Sequence, residues 1–227
     1  MNSATDIGEH LYTLINPHNI QYFISLKYNM RDKGRINKIR VNKLRNINEV
    51  RNTHLNIKNF LTEAFKDISI FFFIEQNEDY HSGDIVCKGH YHSHILLGNI
   101  EEEQIIKPSS FLRRTLNKTD FVYFIDDYNK PYKVFYDDCD NIVDKSIFTI
   151  KAVLSRLEWL RDYKKAVDVR SVYDLKNLLT KEDKEDKDGG YLLKQIKSMG
   201  IDKIIDYQNS TYTKWTLNNL PKKHIRH

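Results

Sequence analysis

The stretch "GHYHSHILLGN", Gly89 to Asn99, sets His90, His92 and His94 at every second position of a chain with 9 histidines in 227 residues. Side chains two apart on a strand project from one face. His92 and His94 would therefore stand side by side, with His90 one step earlier on the same line. The preceding apolar run ends in "FFFIEQ", from which Glu75 emerges. If the two runs pair as antiparallel strands, Glu75 falls beside the histidines. Two imidazoles and a carboxylate with open positions suit Mg²⁺ or Mn²⁺ when a substrate supplies phosphate oxygens. Zn²⁺ is a further option, kept open by Cys87 three residues before His90. Two plainer alternatives stand beside these: an exposed face of an edge strand for the histidines, and a strand end meeting solvent for Glu75.

The elements that must hold these residues can be read from periodicity. "IQYFISLKYN" (20–29) is aromatic and β-branched and predicts a strand. "ISIFFFIEQN" (68–77) is apolar on both faces, which predicts a central strand. "HYHSHILLGN" (90–99) predicts a third. Between the first two, "THLNIKNFLTEAFKDI" has helical spacing with Thr53 as a cap. Residues 109–118 read as a short capped helix. "DFVYFIDDYNKPYKVFYDD" predicts a strand pair turning at Asn129–Pro131. "SIFTIKAVLSRLEWLRDYKKAV" predicts a helix with Ile150, Val153, Leu154, Leu157 and Leu160 on one face. "VDVRSVYDLKNLL" predicts a strand passing into a turn or helix, and "YLLKQIKSMG" a helix closed by Gly200. The order is α+β, with a mainly antiparallel sheet and helices returning over it.

Composition narrows the classes. With 40% hydrophobic and 30% charged residues, 8 Gly and 4 Pro, the chain predicts one globular domain over 1–227. Residues 1–19 and 208–227 are expected to be peripheral extensions. Two cysteines make no disulfide framework, and neither a signal peptide nor a membrane span is evident, so a cytoplasmic protein with no membrane partner is expected. The net charge is +5. Between Arg31 and Arg51 lie eight Lys/Arg against Asp32 and Glu49. Such a cluster attracts phosphate backbones, and Arg31, Lys33, Arg35, Lys38 and Arg40 are the candidate DNA contacts. "EDKEDKD" (182–188) reads as an acidic loop.

"YFISLKY", a helix, "FFFIEQ" and "HSHILL" together resemble the opening of the HUH endonucleases, a superfamily of rolling-circle replication initiators, relaxases and single-tyrosine transposases. Its signature is His–hydrophobic–His before an apolar run, with a third metal ligand on a neighbouring strand. His92 and His94 match that register, with His90 as a substitute ligand or substrate contact; Ser93 departs from it, since a bulky residue is usual there. The resemblance implies a ferredoxin-like HUH-type sheet and a tyrosine nucleophile, which in replication initiators sits in Tyr–x–x–Lys on a helix. That spacing occurs at Tyr173–Lys176 and Tyr191–Lys194. Tyr191 is preferred because it follows a glycine pair and opens an amphipathic segment, whereas Tyr173 lies in the apolar pattern of Val169, Val172 and Leu175 and reads as structural.

The resemblance further implies sequence-specific nicking and joining of single-stranded or origin DNA through a 5′-phosphotyrosine, with Mn²⁺ or Mg²⁺ as cofactor. No G-x-x-x-x-G-K-[ST] is present, so a host helicase and polymerase would be partners. A transposase or relaxase of the same superfamily is an alternative, the latter because His90 completes a triplet and Tyr12 and Tyr22 lie early. A non-catalytic nucleic-acid-binding domain is another, in which Phe71, Phe73, Tyr91 and Tyr22 would stack on bases.

Overall fold

A computed structural model describes residues 4–32, 35–77, 80–82, 85–87, 89–101, 121–125, 130–135, 145–161, 165–180 and 191–211. Its centre is an open four-stranded sheet in the order β10 (Val167–Ser171), β1 (Ile20–Leu26), β7 (Tyr91–Gly98), β4 (Ser69–Gln76), antiparallel throughout. The α+β class expected from the sequence is the class observed. Alternation along the strands sends each side chain to one of two packed faces. On one face Ile24, Phe72, Ile74 and Ile95 meet α3 (Ile47–Ala64) and α4 (Lys145–Leu154) through Val50, Ile57, Leu61, Ile150 and Val153. On the other, Phe71, Phe73 and Leu96 meet α1 (Ala4–Ile15) and α5 (Leu175–Thr180) through Leu11, Ile15, Leu175 and Leu179. Each large side chain so buried contributes about 1.5–3 kcal/mol.

Several expectations need correction. β4 is not central: it ends the sheet, and its outer edge is closed by Ile205–Thr211. There the Asp206 and Thr211 amides donate to Phe72 and Ile70 carbonyls at 3.1 and 2.7 Å, and Ser210 Oγ accepts from the Phe72 amide at 2.9 Å. This edge cover removes the exposed ladder groups that make a terminal strand prone to pairing with other chains. Residues 208–211 are therefore integral. So is the amino-terminal helix, whose Leu11 and Ile15 are fully buried. It approaches α5 so closely at Gly8 that a Cβ there would lie 2.2 Å from the Leu179 carbonyl oxygen.

Thr53 is not a cap. α3 starts seven residues earlier, where the Asn46 side chain accepts from the Asn48 amide, and Thr53 Oγ1 instead donates to the Glu49 carbonyl within the helix. Part of the basic stretch is helical too, as α2 (Lys38–Leu44), capped by Asn37. Helix α4 stops at Leu154; Leu157 and Leu160 stay buried but sit in turns. "YLLKQIKSMG" is not one helix either: a 3₁₀ turn at Tyr191–Leu193 precedes α6 (Ile196–Met199). Gly200 then takes φ +79°, a value that favours glycine, and α7 (Ile201–Ile204) follows.

Three short ladders complete the described residues. β2 (Arg31–Asp32) pairs with β3 (Arg35–Ile36), β5 (Tyr80–Ser82) with β6 (Ile85–Cys87), and β8 (Phe121–Ile125) with β9 (Pro131–Phe135). The last is the expected strand pair, but Pro131 begins β9 opposite Ile125 rather than lying in the turn. The helix expected at 109–118 and the acidic loop at 182–188 lie outside the described residues. No helix among them is long and apolar enough to cross a membrane.

Candidate metal centre and its cleft

The ladder between β4 and β7 sets Glu75 opposite His92 and Phe73 opposite His94. Glu75 and both histidines project from the α1/α5 face, beyond Phe71, Phe73 and Leu96, where the apolar layer ends. Glu75 Oε2 lies 3.0 Å from His92 Nε2 and 2.8 Å from His94 Nε2. One donor atom from each residue falls within 4.8 Å of the others, and the group is largely shielded from solvent. A carboxylate oxygen and two imidazole nitrogens converging in this way could hold a divalent metal ion. Ser25, across the β1–β7 ladder, places Oγ 3.0 Å from His94 Nδ1 and orients that ring from behind.

Electrostatics keep the donors ready. Burial works to raise the Glu75 pKa, but hydrogen bonds from His92, His94 and Lys194 outweigh it and hold the carboxyl far below its usual range. Burial also depresses the His94 pKa, ahead of the opposing bond to Glu75, so the imidazole is neutral. An ionised carboxylate and a neutral imidazole are the ligating forms.

Tyr191 stands at the same place. Its ring centroid is 5.3 Å from that of His94 and 5.9 Å from that of Phe23, edge-on to both. Leu192 and Leu193 are buried beneath it. In a 3₁₀ turn, residues i and i+3 eclipse, and Lys194 accordingly folds back with Nζ 4.7 Å from the Tyr191 ring centre while pairing with Glu75 Oε1. Burial raises the phenol pKa, with the Lys194 charge opposing. Sequence reasoning missed the clamp that sets this segment. The Gln195 side-chain amide accepts from the Gln76 amide at 2.8 Å and donates to the Gln76 carbonyl at 2.6 Å, as a neighbouring strand would. The residue after Lys194 is thereby tied to the residue after Glu75. A single glutamine carries no periodic signal by which this could be anticipated.

The other candidates disperse. His90 precedes β7 and bonds to Asn77, Nε2 to Nδ2 at 2.9 Å, outside the Glu75–His92–His94 group. Tyr173 is not structural: it is 96% exposed, on the bend between β10 and α5. Arg31 and Arg35 belong to the β2–β3 pair, Lys33 lies outside the described residues, Lys38 is exposed, and Arg40 pairs with Glu158. The Cys87 side chain lies outside the described set. Phe71, Phe73 and Tyr22 are buried under helices, so they form no stacking surface. Cations that the sequence did not single out, Lys27, Lys165 and Arg170, line with Asp168 and Asp174 a cleft of about 730 Å³ that has His92, His94 and Tyr191 in its wall.

Ser93, the residue least like the HUH pattern, points to the opposite face. There Tyr28 Oη and His54 Nε2 each lie 2.7 Å from Ser93 Oγ, and His54 Nδ1 lies 2.7 Å from Asp206 Oδ2. Ser93, His54 and Asp206 are all 0% exposed. The chain resembles a hydrolase triad in residue types, yet a serine sealed in the core meets no substrate. It anchors β7, between its two histidines, to α3 and to the segment closing β4.

The ion pair between Lys194 and Glu75 has a measurable consequence. Lys194 competes with a cation for the same carboxylate. Lys194→Met is expected to tighten Mn²⁺ binding about 5- to 10-fold, roughly 1 kcal/mol of removed competition. Glu75→Gln is expected to weaken it more than about tenfold, at least the loss seen when a residue merely supporting a ligand is removed. Titration followed by the electron paramagnetic resonance of free Mn²⁺ reads both; shifts of the same sign would contradict this arrangement.

Comparison of the chain with models of known protein families, with curated proteins and with solved structures returned no match. The antiparallel sheet and the Glu75–His92–His94 group are compatible with an HUH motif.

Proposed function

We propose that this protein nicks and rejoins single-stranded DNA by metal-dependent tyrosine transesterification, as HUH replication initiators do, and so starts rolling-circle replication of a plasmid or virus. The observation that carries the proposal is the meeting of Tyr191 with the Glu75–His92–His94 group at the wall of a cleft that Lys27, Lys165 and Arg170 reach. A phenol and a divalent-metal donor set, side by side, answer the two needs of a phosphodiester: a nucleophile and a neutralising charge.

Glu75, His92 and His94 would hold Mn²⁺ or Mg²⁺, which when bound polarises the scissile phosphate. The Tyr191 ring lies edge-on to both Phe23 and His94 in the cleft wall, contacts that would orient it for attack. Oη forms a bond to phosphorus as the bond to the 3′ oxygen breaks. The phenol gives up its proton and the departing oxygen takes one, leaving a 5′-phosphotyrosine and a free 3′-OH. Lys194, once released from Glu75, has its ammonium beside the Tyr191 ring, where it stabilises phenolate and phosphate charge. The phosphodiester bond energy is kept in the tyrosyl ester, so the reverse attack by a 3′-OH rejoins strands.

Lys27, Lys165 and Arg170, the last paired with Asp168, would supply backbone contacts along the cleft, and Arg31, Lys33, Arg35, Lys38 and Arg40, in the sequence that follows β1, are proposed as further contacts. A host helicase and polymerase would act with the protein. The separation of His90 from the two clustered histidines favours an initiator over a three-histidine relaxase. The burial of Phe71 and Phe73 counts against a base-stacking module on the sheet face.

The experiment is incubation with a library of single-stranded oligonucleotides and Mn²⁺, followed by denaturing electrophoresis. A denaturation-resistant adduct that chelation prevents is expected. Absence of any adduct over the whole library, or its formation in full under EDTA, would overturn the proposal.

A further inference from the structure

Beyond the reacting cleft lies a second cavity of about 300 Å³, walled by Tyr12, Asn16, Asn19 and Lys176. The two cavities share Val172, Tyr173 and Asp174, so they adjoin at the Tyr173 bend. Tyr173 is 96% exposed, the most exposed large apolar side chain among the described residues. The bend is held from below: the Asp174 carboxylate accepts from the Asn177 amide at 2.9 Å at the start of α5, and the Val172 amide donates to the Gln21 carbonyl at 2.8 Å. A rigid backbone thus displays an aromatic ring that touches no core.

We infer that Tyr173 is a stacking post and that the cavity behind it receives one unpaired nucleobase of the strand whose phosphate reaches the metal centre. The ligand class follows from the wall. The exposed Tyr173 ring offers an apolar face to a planar heterocycle, and stacking on aromatic side chains is the common way unpaired bases are held. The amides of Asn16 and Asn19 each carry a donor and an acceptor, the pattern that pairs with a base edge. No hydrogen bond engages either side chain among the described residues. Lys176 stands over the Tyr12 ring at 5.8 Å and pairs with Glu9 at 3.0 Å, placing a cation at the rim for a phosphate or a polarised base. The sequence placed Tyr173 and Lys176 as a weaker copy of the Tyr–x–x–Lys pair; here the same spacing serves recognition.

This inference rests on the single-strand half of the proposed function and is independent of its cleavage half. Tyr173→Ala should weaken binding of a random single strand of about twenty nucleotides by roughly 5- to 100-fold, the effect of removing one base–aromatic stack. Tyr173→Trp should restore binding, and the melting temperature should not move because the ring packs on nothing. Asn16→Ala with Asn19→Gly, the glycine chosen because Asn19 has φ +46°, should narrow the differences in affinity among oligo(dA), oligo(dC) and oligo(dT). Wild-type affinity in Tyr173→Ala overturns the stacking post; unchanged base preference in the asparagine variant overturns the base pocket. An adduct with normal Tyr173→Ala binding removes this inference and leaves the nicking reaction. Weakened Tyr173→Ala binding with no adduct from any oligonucleotide does the reverse.

Discussion

Tyr191→Phe is expected to bind single-stranded DNA and Mn²⁺ like the wild type and to form no covalent adduct. The change removes one oxygen and leaves the ring between His94 and Phe23, so the contacts at 5.3 and 5.9 Å survive. The side chain is 39% exposed, and loss of its hydroxyl should alter stability within about 0.5 kcal/mol. Its chemistry has no substitute: removing a nucleophile costs on the order of 10⁴-fold or more in rate. Tyr173, the other tyrosine on the cleft, does not rescue it, because it stands on the bend beyond β10 and not against the histidines. Quantitative adduct formation by Tyr191→Phe would show that another residue attacks.

The second large effect is on stability. His54→Leu should destabilise the fold by about 3–5 kcal/mol, because it leaves the Asp206 carboxylate in a dry core without its main partner. One proton arrangement satisfies every bond of the chain, and among the described residues only Asp206 Oδ1 in it has no hydrogen-bond partner. Tyr28 donates to Ser93, Ser93 donates to His54 Nε2, and His54 Nδ1 donates to Asp206, which also accepts from Asn209 at 2.7 Å. Burial depresses the His54 pKa, outweighing its bond to Asp206, so the ring is neutral. Burial works to raise the Asp206 pKa, but the bond from His54 leads the contributions that hold it below its ordinary value, with Arg51 adding to them. The His54→Leu, Asp206→Leu double variant should lose less than the sum of the singles, since neither partner is then stranded. Urea melts of the three proteins measure this; a single-variant loss under about 1 kcal/mol would contradict it.

The same network fixes a pH dependence. Both groups have folded-state pKa values below their unfolded ones, so on acidification the unfolded chain takes up protons first. Stability contributed by each is present above its unfolded pKa and is lost as pH falls toward its folded one. The His54 window opens below 6.5 and the Asp206 window below 3.8. Within a window, one group removes about 1.4 kcal/mol per pH unit. His94, also depressed by burial, adds to the first slope. The double variant should therefore unfold less steeply in acid than the wild type.

What could be read from the sequence followed from local pattern. Alternation in "HSHILL" and the apolar run of "FFFIEQ" specified two strands, and pairing them antiparallel was enough to bring Glu75 to His92 and His94. Hydrophobic type alone could not tell a central strand from an edge strand covered by Ile205–Thr211, because both are buried on every side. The single helix expected from Tyr191 to Met199 failed because Gln195 bonds to β4 and interrupts it, a contact across 119 residues. Tyr173 was misplaced for a related reason. Val169 is buried on β10, while Val172 and Leu175 pack against the other face, and the bend at Tyr173 between them turns its ring out. Ser93 differs from the HUH pattern, and its hydroxyl bonds His54 on the reverse face. That bond is invisible without the packing of α3.

The most direct measurement of the central claim is peptide mass spectrometry of the trapped adduct. Oligonucleotide and Mn²⁺ are incubated with the wild type, the DNA is digested, and the modified peptide is sequenced. The account predicts a nucleotide joined through its 5′ phosphate to Tyr191, with Tyr173 unmodified. Attachment at Tyr173 or any other residue, or through a 3′ phosphate, would contradict it.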